Sequence, residues 1–219
     1  MHPLLKTFQK AIYINLDHRT DRKIHIGSEL KKIGLDTERF TALEPTEKLT
    51  FSSIGHRGCV LSHRAIIQKA LDEEIKNILI IEDDCCFTDD FNITSELIMT
   101  DLANIQRWDL LFFYYQSCCG RNKTKDVTSN LKYVEGTLKT HCYGINYKSY
   151  GKMLDIIDSD VDAIDRIYIN ASTELDVLAS TKDIAKQMSG YSDTAEEVVD
   201  YDQTQNKIIL PKELSDITK

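Results

Sequence analysis

Three adjacent carboxylates, Glu82, Asp83 and Asp84, close the apolar run Asn77-Ile78-Leu79-Ile80-Ile81. A run of β-branched and aliphatic residues reads as a buried strand. Its acidic tip holds like charges a few ångströms apart, and they repel unless positive charge sits between them. Oxygen donors partly open to water suit Mg²⁺ or Mn²⁺ rather than zinc, and a cation held there could bind a diphosphate. Acidic residues after a strand also solvate turns or cap a following helix, so other segments must decide.

Arg19 and Arg22, spaced three apart, share a face if their turn is helical. Guanidinium groups there could hold diphosphate oxygens or a uracil carbonyl bidentately, or simply pair with Asp17 and Asp21. Gly58-Cys59-Val60-Leu61-Ser62-His63 opens a helix whose N–H groups could approach a phosphate. Ser62 and His63 are adjacent and cannot form a nucleophile–base couple on one helix face. His141, within a predicted strand, could supply a nitrogen ligand to the metal or lie buried against backbone. Asp160, Asp162 and Asp165 form a second acidic cluster, suited to a general base or to a helix cap.

The elements that must position these groups alternate. Strands are predicted at residues 10–16, 39–43, 77–81, 109–115 and 139–146. Helices are predicted from residue 24 to Gly34, from Gly58 to residue 71, over 93–105 and over 148–157. Residues 44–53 and 120–130 read as polar loops, and 161–169 as short and mixed. The alternation implies an α/β fold, a mostly parallel sheet with helices on both faces. In such sheets ligands bind beyond the carboxyl ends of the strands, where the acidic tip emerges. One domain is expected over 8–195, with a loosely packed tail over 196–219.

The 219 residues carry a formal net charge of −8, which leaves no basic excess for binding nucleic acid. Neither a G-x-G-x-x-G turn nor a G-x-x-x-x-G-K-[ST] loop occurs. No apolar run reaches the length of a membrane span, and the first residues lack a signal-peptide core. The simplest expectation is a cytoplasmic protein without a transmembrane segment. None of the six cysteines forms a C-x-x-C pair. Small buried hydrophobes in a reducing compartment are their plainest reading, with a redox or metal role for the vicinal pairs as the alternative.

In their order and spacing, several segments together resemble glycosyltransferase family 25, which includes bacterial lipooligosaccharide galactosyltransferases and collagen galactosyltransferases. They are Ile14-Asn15-Leu16-Asp17 through Arg22, Gly58 through His63, Ile81-Glu82-Asp83-Asp84 and Trp108-Asp109-Leu110. Thr140-His141-Cys142-Tyr143-Gly144-Ile145, Val161-Asp162 and Tyr191-Ser192-Asp193-Thr194 complete the set. The resemblance implies a GT-A fold, a UDP-sugar donor, a divalent cation (Mn²⁺ or Mg²⁺) and inversion at the anomeric carbon. It makes Glu82, Asp83 and Asp84 the metal and diphosphate motif. Asn15, Arg19 and Arg22 become part of the nucleotide pocket, and Asp193 an acidic group on metal or sugar. Beside it, the residue reading adds Ser62 and His63 to the donor pocket, His141 to the metal, and Asp162 as base. Lys23 stands where a third basic residue is usual, and Asp158-Ser159-Asp160 where Leu-Pro is common. The expected activity is hexosyl transfer, of galactose or glucose, from a UDP-sugar to a hydroxyl on a glycan or hydroxylated protein. An inactive binding module of the same fold, or a nucleotidyltransferase, is the alternative.

Overall fold

The computed structural model describes residues 2–118, 123–195 and 197–200. Strand β1, Lys10–Asn15, leads into helix α1, Thr20–Ile33, which buries Ile26, Leu30 and Ile33 at helical spacing. Strand β2 is Glu38–Thr41, helix α2 is Ile54–Asp72, and β3 is Ile78–Glu82. Then come β4 (Cys85–Phe87), α3 (Phe91–Leu102), β5 (Leu110–Phe112), β6 (Thr124–Asp126), β7 (Leu131–Val134) and β8 (Cys142–Ile145). Helices α4 (Tyr150–Asp158) and α5 (Ile164–Asn170) follow. Four short strands come last: β9 (Val177–Ser180), β10 (Ala185–Gln187), β11 (Gly190–Ser192) and β12 (Glu197–Val199).

Eight strands form one sheet in the order β2-β1-β3-β8-β5-β9-β7-β6. Strand β1 pairs parallel with β2 and β3, and β5 with β9. Strand β8 lies antiparallel between β3 and β5, and β7 runs antiparallel to β9 and β6. Only β7 and β8 are therefore reversed, and the sheet is mixed but mostly parallel. Successive side chains of β3 serve opposite layers, as the pleat requires. Ile78 and Ile80 join the core under α2, α4 and α5, whereas Leu79 and Ile81 join the core under α1 and α3. Helices thus cover both faces of a single domain. At Gly144 in β8 the Phe8 ring lies directly on the sheet, and a Cβ there would stand 2.3 Å from it.

Where structure and sequence pattern differ, the cause is local. Residues 120–130 contain β6, exposed along its length at the sheet edge, so it needs no apolar alternation. Strand β9 escaped the pattern because it is four residues long, though all four are buried between β5 and β7. Helix α2 starts at Ile54 rather than Gly58, capped by Ser53, whose Oγ accepts the His56 N–H at 3.0 Å. Of the tail expected at 196–219, residues 197–199 form β12 against β11, while 201–219 lie outside the described residues. Among the described residues no helix is long and apolar enough to cross a membrane.

Asp109 ties three elements together at the opposite end of the sheet. Its carboxylate accepts from Ser149 Oγ at 2.5 Å, Lys152 Nζ at 2.9 Å and Asp176 N at 2.8 Å. Burial alone would raise its pKa, but these donors outweigh it and hold the carboxyl below its ordinary value. Such a group stabilises the fold above its unfolded pKa and loses that contribution as pH falls through the folded one. Asp109→Asn is therefore expected to cost about 2 kcal/mol in urea unfolding at pH 7. The difference from wild type should shrink below about pH 4.

Candidate active site

Strands β1 and β3 are parallel neighbours, with Ile14 opposite Glu82, so their carboxyl ends open together. Asn15 stands beside the acidic turn and is fully used. Its Nδ2 donates to Asp83 Oδ2 at 2.8 Å and to the Arg19 carbonyl at 3.1 Å, and its Oδ1 accepts from Arg39 Nε at 3.2 Å. Arg22, buried in the first turn of α1, reaches the same turn. Its Nη1 donates to Asp83 Oδ1 at 3.0 Å and Asp84 Oδ2 at 3.1 Å, and its Nη2 to the Tyr191 carbonyl at 2.7 Å. Gln187 Nε2 also donates to Asp84 Oδ2, at 3.1 Å. The other oxygen, Asp84 Oδ1, is buried with no hydrogen-bond partner among the described residues.

The charges do not balance. Burial, reinforced by the charge of Glu82, raises Asp84 to about 7 against the pull of Arg22. Burial raises Asp83 as well, despite Asn15 and Arg22. At Glu82 burial is outweighed by His63 and by Thr140, whose Oγ1 donates at 2.6 Å, and the pKa falls. Three acidic groups thus face one buried guanidinium, with a carboxylate oxygen to spare. A divalent cation fits this donor set, because Mg²⁺-like ions need only one or two carboxylates when a phosphate completes the shell.

The acidic turn forms the floor of a cavity of about 410 Å³, walled by α2 and by residues 191–194. Asn15, Arg22, Ser62, His63, Glu82, Asp83, Asp84 and Asp193 all border it. Arg19 stands behind Asp193, which its Nη1 contacts, and grips Asp21 with two bonds of 3.0 and 2.8 Å. The pairing reading holds for Arg19, which grips Asp21, whereas Arg22 binds Asp83 and Asp84 of the acidic turn instead of Asp17 or Asp21. Asp17 pairs instead with Arg39, at 2.6 Å.

Ser62 and Gly58 have a different task from the one their motif suggested. They lie past the first turn of α2, so their N–H groups do not form an open helix end. Ser62 Oγ donates to the Gly58 carbonyl at 2.7 Å and accepts from Leu43 N at 2.8 Å. That fastens the loop at Leu43 onto the helix, and the loop comes close. A Cβ on Gly58 would stand 2.6 Å from the Leu43 carbonyl oxygen.

Besides Arg19, two expected residues do not border the cavity. His141 is buried in the core beside Tyr114, and its Nε2–H donates to the Ala185 carbonyl at 3.1 Å. Burial pulls its pKa down to about 4. Asp162 is exposed between α4 and α5, where its own carboxylate accepts Ala163 N at 2.7 Å. From the same acidic cluster it is Asp165 that turns inward, accepting Lys139 N at 2.9 Å. Gln187 serves the site yet carried no signal, being a single polar residue outside any motif, and Thr140 and Tyr191 lie in motif segments that gave them no role of their own.

The family model and the curated relatives agree on one family. Residues 8–168 match Glycosyltransferase family 25 (LPS biosynthesis protein). A glycosyltransferase 25 family member of Drosophila pseudoobscura pseudoobscura is 26% identical over 152 residues, covering 57% of this chain and 23% of the relative. Its counterpart in Anopheles gambiae is 24% identical over 164 residues, covering 65% and 26%. The chain therefore spans about a quarter of the length of these curated relatives. Among solved structures, a glycosyltransferase involved in the glycosylation of the major capsid of PBCV-1 superposes with a TM-score of 0.40 at 10% identity. The match covers 68% of this chain and 64% of that one.

Proposed function

Since the chain belongs to glycosyltransferase family 25, we propose that it transfers a hexose, galactose or glucose, from a UDP-sugar to a hydroxyl acceptor with inversion at the anomeric carbon. The observation that carries this reading is Asp84, a buried carboxylate with an unpartnered oxygen on the floor of the cavity, beside Arg22. Asp84, with Glu82 or Asp83, would hold Mn²⁺ or Mg²⁺, which supplies positive charge to a departing diphosphate.

The chain's own residues do the rest. Arg22 places a fixed cation beside the acidic floor, and Asn15 holds Asp83 in position. Asp193 is more open than the floor carboxylates, with 27% of its side chain exposed against 20%, 10% and 6% for Glu82, Asp83 and Asp84. In this reading Asp193 takes the acceptor's proton as the new bond to the anomeric carbon forms and the sugar–phosphate bond breaks. The acceptor is a glycan or a hydroxylated protein.

The test is slow hydrolysis of a UDP-sugar panel by purified protein, with and without Mn²⁺, read as UDP release. Release from one sugar, stimulated by the cation, is the expected result. Silence across the panel, together with no UDP–Mn²⁺ affinity in calorimetry, would overturn the transferase reading in favour of a binding module.

A further inference from the structure

One cluster at the cavity wall joins Glu82 to two residues, Cys59 and His63, that the transfer chemistry above does not use. Cys59 and His63 are four residues apart on α2, so they share one face of the helix. That face meets the end of β3, and the donor atoms of Cys59, His63 and Glu82 all lie within 4.8 Å of one another. Metal–ligand bonds of about 2.0–2.3 Å place the donors of a tetrahedral site roughly 3.3–3.8 Å apart. His63 Nε2 and Glu82 Oε1 already stand 3.4 Å apart, and Cys59 Sγ lies within 4.8 Å of both.

A second observation points to a ligand. His63 is fully buried, and apart from the 3.4 Å approach to Glu82 its Nε2 has no hydrogen-bond partner among the described residues. Buried polar nitrogens are nearly always satisfied, so an orphan aimed at a carboxylate and a thiol asks for an explanation. The other ring nitrogen is already fixed. Nδ1 lies 2.8 Å from Tyr143 Oη, which in turn lies 3.2 Å from Tyr168 Oη. Without a cation Nε2–H faces Glu82, the arrangement that lowers that carboxyl's pKa; with one bound, Nδ1–H donates to Tyr143 and the Nε2 lone pair is freed for the metal. Outer partners orient metal-binding histidines in this way. Glu82 is oriented too, by Thr140.

We infer that Cys59, His63 and Glu82 form a binding site for a borderline-soft divalent cation, Zn²⁺ in particular, separate from the oxygen ligands at Asp83 and Asp84. A sulfur, a nitrogen and an oxygen donor together select zinc over Mg²⁺ or Mn²⁺. Three protein ligands leave a fourth position open, and all three residues border the cavity. The inference does not depend on the sugar-nucleotide reading, because a thiolate site of this kind is defined by its ligands alone.

The experiment is titration of the chelator-stripped, full-length protein with Co²⁺, a spectroscopic stand-in for Zn²⁺. One equivalent should produce a sulfur-to-cobalt charge-transfer band and the visible bands of tetrahedral cobalt, both erased by Zn²⁺. Cys59→Ser should lose the charge-transfer band, Asp84→Asn should keep it, and Tyr143→Phe should weaken Co²⁺ binding about 10–100-fold. Absence of the band in wild type, or its survival in Cys59→Ser, overturns the site. Should Cys59→Ser fail to fold, alkylation of native wild type decides, read peptide by peptide. Zn²⁺ is expected to protect Cys59, and unchanged labelling overturns the inference.

Discussion

Asp84→Asn is expected to lower UDP-sugar turnover by about 10²–10³-fold while leaving the protein no less stable than wild type. The loss follows from removing an anionic oxygen that has no partner in the fold and faces the cavity. The stability follows from linkage. Burial and the charge of Glu82 raise the Asp84 pKa in the folded state to about 7. Its ionisation therefore opposes folding, progressively as pH rises from the unfolded value near 4 to the folded one. An amide escapes that penalty. The variant's advantage in thermal unfolding should be absent near pH 4, grow toward pH 7 and level off above. A side chain kept at the expense of stability is the mark of a working site. Full, Mn²⁺-stimulated turnover by the variant would remove Asp84 from the cation.

Arg22→Met should behave in the opposite way and cost about 3–5 kcal/mol of stability, as when one partner of a buried ion pair is removed. Arg22 is the donor shared by Asp83 and Asp84, and it also holds the Tyr191 carbonyl. Without it Glu82, Asp83 and Asp84 face one another with no guanidinium between them. Millimolar Mn²⁺ should restore part of the loss in urea unfolding, because a cation on the same oxygens stabilises only the folded state. Destabilisation without any rescue by Mn²⁺ would mean that the oxygens are not placed to take a cation.

Much of the site was legible because charge is conspicuous where it interrupts apolar sequence. The run before Glu82 could only be a buried strand, and β3 is buried from Ile78 to Ile81. Arg19 and Arg22 announced themselves by spacing on a helix, and α1 places them at its start. What pattern could not supply was direction. Asp162 and Asp165 sit in one cluster, and only the packing of α5 decides that Asp165 turns inward. A histidine in a predicted strand left two readings open for His141, a metal ligand or a buried ring bonded to backbone, and the fold takes the second. The residue precedes β8, and its ring is buried beside Tyr114 with its Nε2–H on the Ala185 carbonyl, so it does not border the cavity. Ser62 looked available for a ligand because a sequence does not reveal that a loop nineteen residues earlier already occupies its hydroxyl. Strands of three or four residues, such as β9 and β10, are too short for periodicity to register. They nonetheless bring Gln187 to the acidic turn.

Two of the close glycine contacts, at Gly144 and Gly58, predict different histories for their positions. At Gly144 the obstacle is the Phe8 side chain, so a lineage can enlarge one residue if it shrinks the other, and the two positions should drift as a pair. At Gly58 the obstacle is the carbonyl of Leu43, which every residue type carries. No exchange at position 43 makes room, and the loop it belongs to borders the cavity. Descendants that keep this loop against α2 are confined to glycine at 58, whereas any that replace it must have rebuilt that wall of the cavity.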